Sequence, residues 1–150
     1  MNREIKFRGK RIDNGEWIYG LLLYFEDEYG IQPSYGCKIH EVVPETIGQF
    51  TGLIDMGKEI YEGDIAVYQL SNKGINEDFK YLSTKQLYEL FPDNFRMHVV
   101  CWDNVEYAFA LDYRGRTWYN ESGDRCTMNG MRSEVIGNVH DNPELLTKND

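Results

Sequence analysis

Polar and apolar positions alternate from the first residues of the chain. Arg3, Lys6 and Arg8 interleave with Ile5 and Phe7, the pattern of a strand with one face in solvent. Residues 4–10 and 17–25 flank Asp13-Asn14-Gly15, whose residue types tolerate positive φ, so the two stretches read as a hairpin. Glu26-Asp27-Glu28-Tyr29-Gly30 reads as the turn closing the second strand. Residues 38–43 predict a further short strand, stopped by Pro44, which has no N–H to give to a ladder. Residues 46–51 predict another, with Gly52 after it.

The second half opens on Gly57-Lys58-Glu59-Ile60-Tyr61-Glu62-Gly63-Asp64, two glycines bracketing a short extended piece, and Gly63-Asp64 reads as a tight corner into the strand Ile65-Ala66-Val67-Tyr68. Residues 96–102 and 105–112 predict a hairpin joined by Asp103-Asn104, a pair suited to a primed two-residue turn. Thr117-Trp118-Tyr119 and residues 134–139 complete a set of about five short strands, enough for a small SH3-like barrel or an open sandwich. One segment breaks the rhythm. Ser83-Thr84-Lys85-Gln86 has capping-box spacing, Leu87, Leu90 and Phe91 follow at helical spacing, and Pro92 stops the run, so a helix is expected at about 83–91. The polar residues 71–78 before it read as a surface loop. The expected fold is mainly β, a β-rich α+β chain: a strand and hairpin part over residues 1–56, then an SH3-like small barrel over 57–150 with one inserted helix.

Composition adds limits. A chain of 150 residues fits one compact domain or two small ones and can bury roughly 70% of its unfolded surface. Its 41% hydrophobic and 27% charged fractions favour neither disorder nor a coiled coil. Aromatic residues are 14% of the chain, eleven of them Tyr, an excess that suits strands and interfaces alike. No apolar run approaches the roughly 20 residues of a membrane-spanning helix. The N-terminus has no apolar stretch of the kind that directs export, so a cytoplasmic protein is expected. Cys37, Cys101 and Cys126 are odd in number and widely spaced, which argues for reduced thiols.

Net charge is −9, unevenly placed. Arg3, Lys6, Arg8, Lys10 and Arg11 against Glu4 make the start of the chain basic and the remainder strongly acidic. An acidic body repels nucleic acid at long range, while Lys6, Arg8 and Lys10 on a basic arm could contact phosphates. The plainer reading of those three is the solvent face of a half-buried strand.

The candidate chemistry is sparse. Cys37 and His40, with His98 and Cys101, offer paired C-x-x-H and H-x-x-C spacings, a zinc set in type. Positions three apart on a strand point to opposite faces, however, so His98 and Cys101 are not expected to act together. No nucleophile elbow or phosphate-binding glycine pattern occurs. Glu59, Glu62 and Asp64 cluster near Gly63, and Asp103 and Glu106 near the hairpin. Such groups could be drawn as a carboxylate pair or a magnesium site, but in an acidic chain they read as solvated surface, with Asp64 bonding turn amides. No catalytic, cofactor or metal residue is assigned.

Four blocks in order resemble a known family: Arg3-Glu4-Ile5-Lys6-Phe7-Arg8, Gln49-Phe50-Thr51-Gly52-Leu53-Ile54-Asp55, Gly57-Lys58-Glu59-Ile60-Tyr61-Glu62-Gly63-Asp64-Ile65, and Val135-Ile136-Gly137-Asn138-Val139-His140-Asp141-Asn142-Pro143-Glu144-Leu145-Leu146. Together they resemble the YopX-like proteins of bacteriophages and prophages. The resemblance implies a phage or prophage origin, a β-rich fold with a barrel-like second half, and self-association. It implies no reaction and no cofactor. In the last block Asn142 reads as the cap and Pro143 as the first position of a short helix.

Two binding functions follow as expectations. The first is a non-enzymatic accessory module acting through protein contacts, as a homo-oligomer or with an unknown phage or host protein, anchored by Trp17, Tyr19, Trp118 and Tyr119. The alternative is nucleic-acid binding through Lys6, Arg8 and Lys10. An acidic decoy for a DNA-binding site follows only from the net charge.

Overall fold

The computed structural model describes residues 4–55, 57–69, 71–103, 108–113, 116–117 and 133–147. They are mainly β and form two antiparallel sheets. The chain divides into two compact units, Met1–Glu62 and Gly63–Asp150, so the division falls after the strand at 58–61, where the sequence suggested a boundary before it.

The first unit holds β1 (Phe7–Lys10), β2 (Trp17–Phe25), β3 (Glu28–Gln32), β4 (His40–Glu41), β5 (Gly48–Asp55) and β6 (Lys58–Tyr61), in the order β4-β3-β2-β1-β5-β6. The expected β1–β2 hairpin forms, with Phe7 opposite Gly20 and Lys10 opposite Trp17. The expected turn over residues 26–30 shrinks to two. Phe25 pairs with Glu28, leaving Glu26 and Asp27 at φ 50° and 66° as a primed turn, and Tyr29 and Gly30 belong to β3. Gly52 does not end its strand either. With φ of 85° it sits where the β5–β6 register shifts between Phe50 and Ile54, so the strand bulges and continues to Asp55. Pro44 does stop the third segment, opening a short 3-10 turn, Pro44–Thr46.

One face of this sheet carries the core of the first unit. Ile18, Ile31 and Val42 are buried and packed by Phe7, Leu22 and Ile47. Each buried aliphatic of this kind contributes about 1.5–3 kcal/mol. The chain past β1 curls back over that core. Arg11 bridges Val42, Val43 N donates to Lys10 O at 2.8 Å, and Ile12 N donates to Glu41 O at 3.1 Å.

The second unit holds β7 (Asp64–Gln69), α1 (Thr84–Leu90), β8 (Phe95–Asp103), β9 (Ala108–Tyr113), β10 (Arg116–Thr117), β11 (Ser133–Asn138) and α2 (Glu144–Thr147). The sheet order is β10-β9-β8-β7-β11. Among the described residues the edge strands β10 and β11 do not pair with each other, so these strands form an open sheet and the expected SH3-like closure is not seen among them. β7 is the strand next to the centre. Its run from Asp64 to Val67 is buried without alternation, as a strand covered on both faces requires. Ile65, Val67 and Met97 form the core with Tyr88 from α1 and Ile136, Val139 and Leu145 from the C-terminal segment.

The helix stands where capping chemistry puts it. Gln86 N donates to Ser83 Oγ at 3.2 Å, and Ser83 N donates to Gln86 Oε1 at 2.8 Å. Lys85 N donates to Glu134 Oε2 at 2.7 Å, fastening the first turn to β11. The β8–β9 hairpin differs from expectation. Asp103 pairs with Ala108, so Asp103 is a strand residue and the Asp103-Asn104 two-residue turn is not the connection. At the C-terminus Asn142 does not cap a helix through its side chain. Its Oδ1 accepts from Asn138 N at 3.3 Å, holding the turn to the end of β11, and α2 begins at Glu144. No described helix is long and apolar enough to cross a membrane.

His98, 2% exposed in β8, supplies a measurable consequence. Burial, with the Arg96 charge beside it, pushes its pKa down from 6.5 to about 4. A folded-state value below the unfolded one means that stability is full above pH 6.5 and is lost as pH falls from 6.5 toward 4. The loss amounts to at most about 3 kcal/mol. Urea unfolding of the full chain across that window should show this slope, and His98→Leu should flatten it. An unchanged slope in the variant would remove His98 as its source.

Candidate functional site

The register of β1 on β2 decides how the candidate residues meet. Arg8 lies opposite Tyr19 and Lys10 opposite Trp17, and facing residues of an antiparallel pair share a face. The cations suggested for nucleic acid and the aromatics suggested for a protein interface are therefore one surface, the side of the first sheet turned away from Ile18. Trp118 and Tyr119 lie outside the described residues.

Arg8 is the centre of that surface. It is 6% exposed, with its guanidinium carbon 4.7 Å from the Trp17 ring centre and 5.1 Å from that of Tyr61. Its Nη2 donates to Glu62 O at 2.9 Å. Desolvating a guanidinium is costly, and the two ring faces with the carbonyl offset that cost while holding the group in place. The Glu62 carbonyl reaches this position because the residue opposite Arg8 on β5 is Gly48. A Cβ there would stand 2.5 Å from Glu62 O. The Glu62 side chain also accepts from Gln49 N at 3.0 Å, so the end of β6 is clamped on both sides.

Beside Arg8 a second group is tied internally. Lys6 Nζ donates to both Glu59 oxygens at 2.8 and 2.7 Å, and Tyr61 O–H donates to Glu59 Oε2 at 2.6 Å. The Lys6 ammonium, then the Tyr61 hydroxyl, hold the Glu59 carboxyl below its usual value of 4.5. Burial, then the neighbouring carboxylate, push the Tyr61 phenol well up, so it stays protonated and donating. Tyr61 also packs at 5.5 Å on both Tyr19 and Phe50. Lys10 Nζ lies 5.4 Å from the Trp17 ring centre. Lys6 and Arg8 thus face their own chain, while Tyr19 keeps 41% of its surface in solvent.

The remaining sequence candidates are scattered. Cys37 is exposed, with Sγ 3.0 Å from Ser34 Oγ, and His40 sits in β4. His98 and Cys101 stand three apart on β8, His98 buried and Cys101 half-buried. Among the described residues no three His, Cys, Asp or Glu side chains come together as a metal site. Asp64 is buried at the start of β7, not solvated. The Asp103 side chain and Glu106 lie outside the described residues.

Sequence reasoning passed over Tyr61 and the distal half of β2. The available signal was β2 itself, Trp17-Ile18-Tyr19-Gly20-Leu21-Leu22-Leu23-Tyr24-Phe25, nine residues with no polar alternation. On the Trp17 side its row continues through Tyr19, Leu21, Leu23 and Phe25, with Leu21 51% exposed.

The Lys6–Glu59 pair is open to a direct check. A folded-state pKa below 4.5 means Glu59 stabilises the fold above that pH, and the contribution is lost as pH falls through the lowered value. Glu59→Gln should lower stability at pH 7 by about 1 kcal/mol, as expected of a half-exposed pair, with the deficit shrinking as pH drops below 4.5. A deficit independent of pH in urea titrations would rule out the ionised pair as its cause.

In the comparison with protein families, the family model described as YopX protein matches residues 6–147. No curated protein matches the chain.

Proposed function

The chain belongs to the YopX protein family, and we propose that it serves there as a non-enzymatic, cytoplasmic accessory protein of phage or prophage origin, acting through protein contacts that include self-association. The observation that carries this reading is where the exposed apolar side chains lie. In the first unit nine large hydrophobic residues stand exposed among the described residues, Tyr19, Leu21, Tyr24 and Tyr29 among them. Single exposed apolar residues need no explanation, but an accumulation on one small unit suits a surface that meets another protein.

The state of the basic residues supports the same choice. Nucleic-acid binding needs cations that are free to neutralise phosphates. Lys6 is engaged with Glu59 and Arg8 is buried against Trp17, Tyr61 and the Glu62 carbonyl, so their main work is inside the first unit. Glu59 accepts from both Lys6 and Tyr61, an arrangement that suits structure better than proton transfer.

Light scattering of the full chain between about 1 and 100 µM tests the self-association, in the range where interfaces of ordinary size associate. The expected mass exceeds that of a monomer, and Tyr19→Ser lowers it. A monomer throughout that range would overturn self-association. A gel-shift series with single- and double-stranded DNA and RNA at low salt should show no retardation. A shift abolished by Lys10→Gln would overturn the protein-contact reading in favour of nucleic acid.

A further inference from the structure

The β2–β3 hairpin outruns its neighbour. β1 begins at Phe7, opposite Gly20, so residues 21–25 of β2 have β3 on one side and, among the described residues, no paired strand on the other. A free backbone edge invites another strand, and edges are commonly defended by charge, proline or shortness. This one carries Leu21-Leu22-Leu23-Tyr24-Phe25, with neither a charge nor a proline.

The surface beside that edge is apolar. Leu21, Leu23 and Phe25 share the Trp17 side of the sheet, and Ile39 joins them: its Cγ2 and the Phe25 Cε1 lie 2.5 and 2.9 Å from where a Gly30 Cβ would stand. Glycine at that point lets the two side chains close over β3. On the reverse side the Tyr24 and Tyr29 rings meet at 4.9 Å, tilted by 48°, and remain exposed. A strand laid along residues 21–25 would therefore find apolar contact on both faces.

Charge names the occupant. Glu26, Asp27 and Glu28 form the exposed end of the hairpin. Within this part of the chain, residues 21–32, no lysine or arginine occurs. We propose that the free edge of β2 at residues 21–25 binds an extended segment of another protein by strand addition, and that this segment alternates apolar with basic residues. The main-chain hydrogen bonds would supply affinity, the Leu21–Leu23–Phe25 row and the tyrosine pair would take its apolar side chains, and the acidic rim would select its charge. A second copy is disfavoured as occupant, because it would bring its own acidic hairpin end and a net charge of −9. The inference rests on the protein-contact reading and assigns it a place and a partner chemistry.

Fluorescence anisotropy with the full chain tests it, using a labelled ten-residue peptide of alternating Val and Lys. Its controls are an alternating Val and Glu peptide and a Val-Lys peptide N-methylated at alternate residues. The basic peptide should bind, and the acidic one should not. N-methylation, which removes strand hydrogen bonds, should weaken binding about tenfold or more. Leu21→Ser, at a half-exposed position, should weaken it about fivefold, and the pair Glu26→Gln with Glu28→Gln about threefold. Circular dichroism confirms that the variants are folded. Three results overturn the proposal: no binding of the basic peptide, equal binding of its N-methylated form, or binding indifferent to Leu21→Ser. Light scattering separates the remaining case. An oligomer whose mass falls with Leu21→Ser would assign the edge to a second copy, overturning this inference and leaving the protein-contact function standing. An oligomer sensitive only to Tyr19→Ser leaves the edge to the basic segment.

Discussion

The arrangement of the first unit turns on a cation kept away from water. The Arg8 guanidinium rests against Trp17 from β2 and Tyr61 from β6, and it donates to the Glu62 carbonyl at the end of β6. It thereby joins strands that the ladder places apart, since β5 lies between β1 and β6. Gly48 makes room for the carbonyl, and Tyr61, one of the two rings, is itself fixed by its bond to Glu59, which Lys6 holds. Remove the guanidinium and the Glu62 carbonyl loses a donor while two rings lose the charge they pack on. A lysine would not replace it, because a single ammonium lacks the flat face that sits against both rings.

Elements set by short-range chemistry were legible in the sequence. Ser83 and Gln86 announced the helix because a capping box lies within one turn, and Pro92 marked its end. The β1–β2 hairpin was legible from Asp13-Asn14-Gly15 between alternating strands. Features that depend on remote partners were not. Gly30 reads as a turn residue until Ile39 and Phe25 are known to close over it, and Gly52 reads as a strand end until its bulge against β6 is seen. Arg8 looks like solvent-face charge. Its burial depends on Tyr61 and on a carbonyl 54 residues along the chain.

The candidate surface was half legible for the same reason. Trp17 and Tyr19 were placed on one face by their spacing alone, and the structure agrees. Their meeting with Lys6, Arg8 and Lys10 required the register, which alternation cannot give, because one residue of slip would have sent those cations to the opposite face. The second unit departs in a different way. Enough strands were counted for a barrel, but a count of strands does not fix closure, and among the described residues the edge strands stay unpaired with one another.

The primed turn of the β2–β3 hairpin carries a last consequence. Glu26 and Asp27 hold φ of 50° and 66°, a region where each non-glycine residue is strained by about 1–2 kcal/mol and where Asn-Gly would sit more easily. The hairpin therefore keeps two negative charges at the expense of local stability. Those charges sit at the end of an apolar strand that, among the described residues, has no paired strand beside residues 21–25 on its β1 side, the arrangement from which cross-β stacking grows. A like-charged tip on every copy opposes that stacking, so this turn trades folding free energy for colloidal solubility, and a substitution that relaxed its backbone would make the hairpin firmer and the protein more prone to aggregate.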